Sequence, residues 1–276
     1  MKCTTISFKT LSIVLILIPF ILVGQKRDFP YALKSSDFIV IGVGLSSELI
    51  AKYRQSNQPL MTNDELIKLD RSDINKFDRS ATYNWSNNLS KASNLTRTIL
   101  VASPSILLLN EGIKKEWKNS LTYGVMYFEV VLVTSGLTDL TKSIALRKRP
   151  YLYNTNISLA EREKMIAENN VFNSFFSGHT SLAFATAVFL SKTYTAIYGK
   201  TVVSKIIWAT SLALASTTGY LRYKSGHHYP TDVIAGAFVG SAIGYFIPVL
   251  HTKNSKTKNL SYSITGTSFR LTYILK

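Results

Sequence analysis

Long apolar runs recur along this chain, separated by short polar stretches. They cover residues 38–50, 98–109, 123–137, 182–198, 203–221 and 233–250. Runs of this length predict six helices and an all-α bundle. The last run carries no charged residue and is rich in Gly, Ala and Ser. That composition suits close helix–helix packing in a membrane, so the predicted bundle is membrane-integrated. Several other runs fall short of the roughly 20 residues of a full span. Glu129 interrupts the third run. An acid at that depth must face a protein interior or water.

The polar stretches differ among themselves. In residues 52–93, Ile74, Phe77, Ala81, Trp85 and Leu89 recur at helical spacing. This predicts an amphipathic helix along a membrane interface. In the tail, Tyr262 and Ile264, then Phe269, Leu271, Tyr273 and Leu275, alternate with polar residues around Thr265-Gly266-Thr267-Ser268. That is a β-hairpin pattern. At the start, Lys2 and Lys9 precede an apolar run from Leu11 to Val23, closed by Gly24. This predicts a secretory signal or an N-terminal anchor. The expected division is therefore 1–24 leader or anchor, 25–252 main domain, and 253–276 basic, β-like tail.

Charge narrows the partners. The chain has 32 Lys and Arg against 16 Asp and Glu, a formal charge of +16. Such a balance suits a membrane surface, a phosphorylated substrate or nucleic acid. No nucleic-acid motif accompanies it, so no nucleic-acid partner is expected. Cys3 is the single cysteine, within the segment that a signal would lose, so no disulfide or thiolate site is expected. Histidine chemistry must come from His179, His227, His228 or His251.

Three polar clusters flank the apolar runs. The first is Lys142 to Pro150, with Arg147, Lys148 and Arg149 adjacent. By itself it reads as a basic flank at a helix C-terminus. The second is Phe176-Ser177-Gly178-His179-Thr180. Ser177 suits an N-cap, and free amides at a helix start bind anions. The third runs from Arg222 through His227 and His228 to Asp232, with Pro230 fit for a first helical turn. Asp232 is the sole acid after Glu168. A lone carboxylate beside two histidines in so basic a region calls for a specific partner. In an antiparallel bundle all three clusters fall at one end.

Lys142 and Arg149-Pro150, then Ser177-Gly178-His179, then Arg222 with His228 and Asp232 resemble the three-part signature of the type 2 phosphatidic acid phosphatase superfamily. Tyr229-Pro230-Thr231-Asp232 agrees as well. Phe176 stands where that family often has proline, and Leu221 where it often has serine. The resemblance implies a metal-independent phosphatase that hydrolyses a phosphate monoester or pyrophosphate, with a phosphorylated lipid as substrate and no cofactor. It assigns His228 as nucleophile, Asp232 as the group that orients its other ring nitrogen, and His179 as general acid. Lys142, Arg149, Ser177, Gly178 and Arg222 would bind phosphate. The superfamily also holds soluble periplasmic acid phosphatases and vanadium-dependent haloperoxidases, which are the alternative readings. The expected location is the inner membrane of the cell envelope, with the site facing the periplasm. Lysine-rich far loops, including Lys118, Lys200 and Lys253, favour that orientation.

Overall fold

The computed structural model describes residues 28–113, 116–167, 170–253, 260–265 and 268–273. The predicted leader, residues 1–24, lies outside them. The helices are α1 (Asp37–Ser56), α2 (Asn63–Ile67), α3 (Asn87–Ala102), α4 (Ser105–Ile113), α5 (Trp117–Ala145), α6 (Leu159–Ala167), α7 (Gly178–Tyr198), α8 (Val202–Lys224) and α9 (Pro230–Leu250). Strands β1 (Leu260–Thr265) and β2 (Ser268–Tyr273) follow. The class is all-α. Among the described residues six long rods form the bundle: α1, α3 with α4, α5, α7, α8 and α9. Each predicted apolar run lies on one of them. The run at 98–109 is broken between α3 and α4 at Pro104, which has no amide to continue the ladder.

Local chemistry sets the helix starts. Ser86, Ser177 and Thr201 accept hydrogen bonds from the amides of Leu89, Thr180 and Ser204, and Pro230 opens α9. Packing then depends on missing side chains. Gly236, Gly240 and Gly244 recur at four-residue spacing on α9. A Cβ on them would lie 2.7, 2.0 and 2.2 Å from the carbonyl oxygens of Ser177, Ser181 and Ala185 on α7. The two backbones therefore touch, as small-residue ridges allow. Gly44 and Gly136 do the same for α1 and α5, where a Cβ on Gly136 would lie 2.6 Å from Gly44 O. Those two helices run parallel: Asp37 lies near Glu129, and Arg54 reaches Ser143 O.

The bundle is apolar outside and hydroxyl-rich within. Phe38, Trp117 and Phe238 are 82%, 68% and 74% exposed. Inside, Thr138 bonds Ser181 at 3.0 Å and Ser191 bonds Ser211 at 2.9 Å. Large exposed apolar side chains on the helices suit a lipid-facing bundle, whose interior also holds the apolar cluster of Met126, Phe189 and Ile247. Among the described residues three helical stretches are long and apolar enough to cross a membrane: Asn87–Asn110 (α3 with α4), Trp117–Ala145 and Pro230–Leu250.

One expectation fails. Ile74, Phe77, Ala81, Trp85 and Leu89 do not share one amphipathic helix. α1 continues to Ser56, α2 follows, two short 3-10 turns cover Arg71–Asp73 and Arg79–Tyr83, and Leu89 already belongs to α3. The cause is side-chain competition for backbone groups. Asp70 accepts from the Ser72 amide, and Asn75 Oδ1 from the Asp78 amide. The expected hairpin is present, with Tyr262 opposite Leu271 and Ile264 opposite Phe269. Gly266 and Thr267 lie outside the described residues.

Candidate active site

The three clusters meet. α5 ends where α7 and α9 begin and α8 ends. The Ser177 amide donates to Asp232 O at 3.0 Å, and the Tyr151 amide to Gly226 O at 3.0 Å. A Cβ on Gly178 would lie 3.1 Å from Lys142 Nζ, so glycine gives this ammonium access to the start of α7. Arg149 donates through Nη1 to His227 O at 3.4 Å.

His228 is buried in the loop before α9. Its Nδ1 lies 2.8 Å from Ser174 O. A carbonyl only accepts, so Nδ1 carries the proton and Nε2 keeps the lone pair in the neutral ring. Burial holds the ring well below the ordinary histidine range, and the charges of Arg149, Arg222 and Lys142 add to the effect. His227 differs. Its Nδ1 faces Ser225, and its ring stacks on Trp85 at 5.6 Å between centroids. Burial, then Arg222 and Arg149, push it down to about 3.

Asp232 is placed otherwise than expected. Its Oδ2 is 3.6 Å from His228 Nδ1, beyond direct hydrogen bonding. Instead Oδ2 accepts from Ser174 Oγ at 2.6 Å and from the Tyr229 amide at 2.9 Å. Asp232 thus fixes Ser174, whose carbonyl fixes the imidazole. Its Oδ1 pairs with Arg147 Nη1. Arg147 also binds Asp78 Oδ2 at 2.7 Å and lies over the Tyr229 ring at 4.0 Å. Asp78 in turn accepts from the Thr231 amide and hydroxyl at 3.0 and 2.7 Å. Burial alone would raise the Asp78 carboxyl, but hydrogen bonds from Asn75, Thr231 and Arg147 outweigh it and hold it low.

The remaining groups have defined partners. Arg222 is buried, and its Nη1 donates to Ser90 at 3.1 Å and Ser93 at 3.4 Å on α3. Its Nε is a buried donor without a protein acceptor among the described residues. That is the condition in which an anion binds well. His179 Nε2 sits 2.6 Å from Asn94 Oδ1, also on α3. Ser177 Oγ is engaged as N-cap, accepting from the Thr180 amide at 3.4 Å and hydroxyl at 2.8 Å. Its contribution to an anion site is thus the shape of the helix start more than a free hydroxyl. Lys142 Nζ bonds Asp139 at 3.0 Å. A cavity of about 430 Å³ opens onto Arg149, Arg222 and His227, walled by Trp85, Tyr151 and the α6 residues Glu161, Lys164 and Met165.

Sequence reasoning missed Asp78, Arg147, Ser174 and Asn94 as members of this site. Arg147 belongs to the first basic cluster, but three adjacent cations give no sign of which one turns inward. Ser174 meets the imidazole through its backbone carbonyl, which no side-chain pattern reveals.

Residues 123–256 match the family model described as the PAP2 superfamily. This segment belongs to that superfamily. The PAP2 segment begins within α5 and takes in every site residue from Lys142 to Asp232. A PA-phosphatase related-family protein of Dictyostelium discoideum is 25% identical over 174 residues, 60% of this chain. The match spans 63% of that relative's length. No solved structure matches the chain significantly.

Proposed function

We propose that this chain is a membrane phosphatase that removes phosphate from a lipid phosphomonoester or pyrophosphate through a phosphohistidine on His228. The observation that carries this reading is the neutral, buried His228 ring, with its proton held on Nδ1 by Ser174 O, among Lys142, Arg149 and Arg222. A PAP2 assignment and a relative named for phosphatidic acid phosphatase support it.

Phosphoryl transfer needs charge neutralisation, a nucleophile in line and a proton for the leaving oxygen. The three cations would neutralise the equatorial oxygens, Arg222 through its unmet Nε–H. His228 Nε2 attacks phosphorus, the leaving oxygen takes its proton from His179, and a phosphoramidate forms. Water then attacks phosphorus with His179 as base, releasing phosphate and neutral His228. This electrostatic set supplies what a metal supplies elsewhere, so turnover should survive excess chelator. The exposed apolar flanks favour a lipid over the substrate of a soluble acid phosphatase. Site placement on the periplasmic side, at the inner membrane, completes the reading.

The test is a rapid-quench search for acid-labile, base-stable phosphoprotein. Wild type and His227→Ala should yield it, and His228→Ala should not. His179→Ala should slow turnover by roughly 10²–10⁴-fold, and by less on p-nitrophenyl phosphate, whose leaving group needs no proton. A phosphohistidine trapped in His228→Ala would assign the nucleophile elsewhere.

A further inference from the structure

A second cluster lies at the opposite end of α9, about 30 Å from His228 by the rise of a helix. Asp37 opens α1, Glu129 lies within α5, and His251 follows α9. Glu129 and His251 are fully buried, and Asp37 nearly so. His251 Nε2 is 3.2 Å from Asp37 Oδ1 and 3.4 Å from Glu129 Oε2. Its Nδ1 faces Ile247 O at 3.0 Å and so carries a proton. The neutral ring then directs the Nε2 lone pair at two carboxylates. Among the described residues neither Glu129 oxygen has a hydrogen-bond partner, nor does Nε2. Asp37 Oδ2 accepts from the Lys34 amide at 2.8 Å, which leaves Oδ1 for the cluster. Lys34 Nζ is bonded to Leu250 O.

Two buried carboxylates and a lone pair aimed at one point need a cation. We infer that Asp37, Glu129 and His251 bind a divalent transition metal of the zinc class as a structural clamp. Ligand distances of about 2.0–2.2 Å in a tetrahedral site place neighbouring donor atoms about 3.3–3.5 Å apart. The observed 3.2 and 3.4 Å agree. Two carboxylates, a neutral imidazole and a divalent ion sum to zero charge, which removes the cost of an uncompensated buried charge. The Nδ1–H bond to a carbonyl is the usual outer partner of a metal-bound histidine. A nitrogen donor argues against calcium and magnesium, which take oxygen ligands. A water molecule would complete the tetrahedral shell, as in three-ligand zinc sites. The ion would tie α1 and α5 to the end of α9, where the Ala32 amide already donates to His251 O at 2.9 Å. This inference is independent of the phosphatase reading, because binding is measured without substrate.

The experiment uses the full chain in detergent, washed with chelator and then analysed for metals by mass spectrometry. Wild type should retain, or take up after zinc addition, one equivalent per chain, with a raised thermal midpoint. Cobalt loading should give the visible absorption bands of a tetrahedral ion. Glu129→Gln and His251→Gln should lose both signals, while His179→Ala keeps them. Wild type without cobalt bands and without a zinc-dependent midpoint would overturn the inference and leave protons as the neutralising charge. Full metal content in Glu129→Gln would overturn it too. Since wild type alone supplies a decisive result, failure of a variant to fold leaves the test intact.

Discussion

Arg147 shows how a single residue holds the site without touching the reacting atoms. Its guanidinium bridges Asp78 and Asp232, whose side chains are 1% and 0% exposed. Arg147→Met leaves both carboxylates buried and unpaired. Losing one partner of a buried pair costs about 3–5 kcal/mol, so a sharp fall in thermal midpoint is expected, with loss of turnover. Arg147→Lys keeps the charge but not the planar fork and should recover only part of the stability. An unchanged melting curve for Arg147→Met would remove this network from the account. The two adjacent histidines set a pH dependence. Unfolded, each titrates near 6.5, and folded, both lie lower. Below pH 6.5 the unfolded chain therefore binds more protons, and stability falls with acid, by up to about 1.4 kcal/mol per pH unit for each ring. For His227 this loss should continue down to about pH 3. Denaturation midpoints between pH 7 and pH 5 should fall in wild type and fall less in His227→Gln. Equal slopes would show that His227 is not held neutral.

At the scale of elements, glycine placement separates packing from propensity. Gly240 and Gly42 both lie inside helices. A Cβ on Gly240 would meet Ser181 O at 2.0 Å, whereas one on Gly42 meets nothing within 4 Å. Gly240→Ala must push α9 off α7, and the site residues Ser177 and Asp232 lie one and two turns along that seam. It should lower both the thermal midpoint and activity. Gly42→Ala should be neutral or stabilising by up to about 1 kcal/mol, the usual helix-propensity gain. Equal effects in a melting assay would contradict the tight seam. The rods themselves were legible in the sequence because apolar runs of this length leave few alternatives. Residues 70–85 were not legible. Their helical spacing of Ile74, Phe77, Ala81 and Trp85 was real, but Asp70, Asn75 and Asp78 spend their side chains on nearby amides. The resulting turns deliver Asp78 to Thr231 and Arg147, contacts too remote in sequence for any local pattern to show.

Across the whole molecule, the convergence of the three clusters was readable because helix direction alternates after α5, so ends and starts alternate at one face. Which groups bond which was not readable. Asp232 was expected on the imidazole, yet it lies behind Ser174, because the short connection into α9 turns its carboxylate toward the Tyr229 amide and the Ser174 hydroxyl. Topology carries the final prediction. α1 packs along α5 in parallel, so the two should cross a membrane together. The chain then enters α1 from the lysine side, the side of Lys118, Lys200 and Lys253, and lysine-rich loops stay in the cytoplasm. The phosphate site would face outward, and residues before α1 would then not be carried across the membrane, since a cleaved export signal, or an uncleaved anchor with Lys2 and Lys9 inside, would invert the arrangement. Exposed positions at the two ends decide it, in a Cys3→Ser background. Ser158→Cys, beside α6 at the site end, should react with an impermeant maleimide in intact cells. Lys200→Cys, between α7 and α8, should react only after the membrane is opened. The reverse pattern would place the site in the cytoplasm and make an exporting segment, cleaved or retained, the consistent reading of residues 1–24.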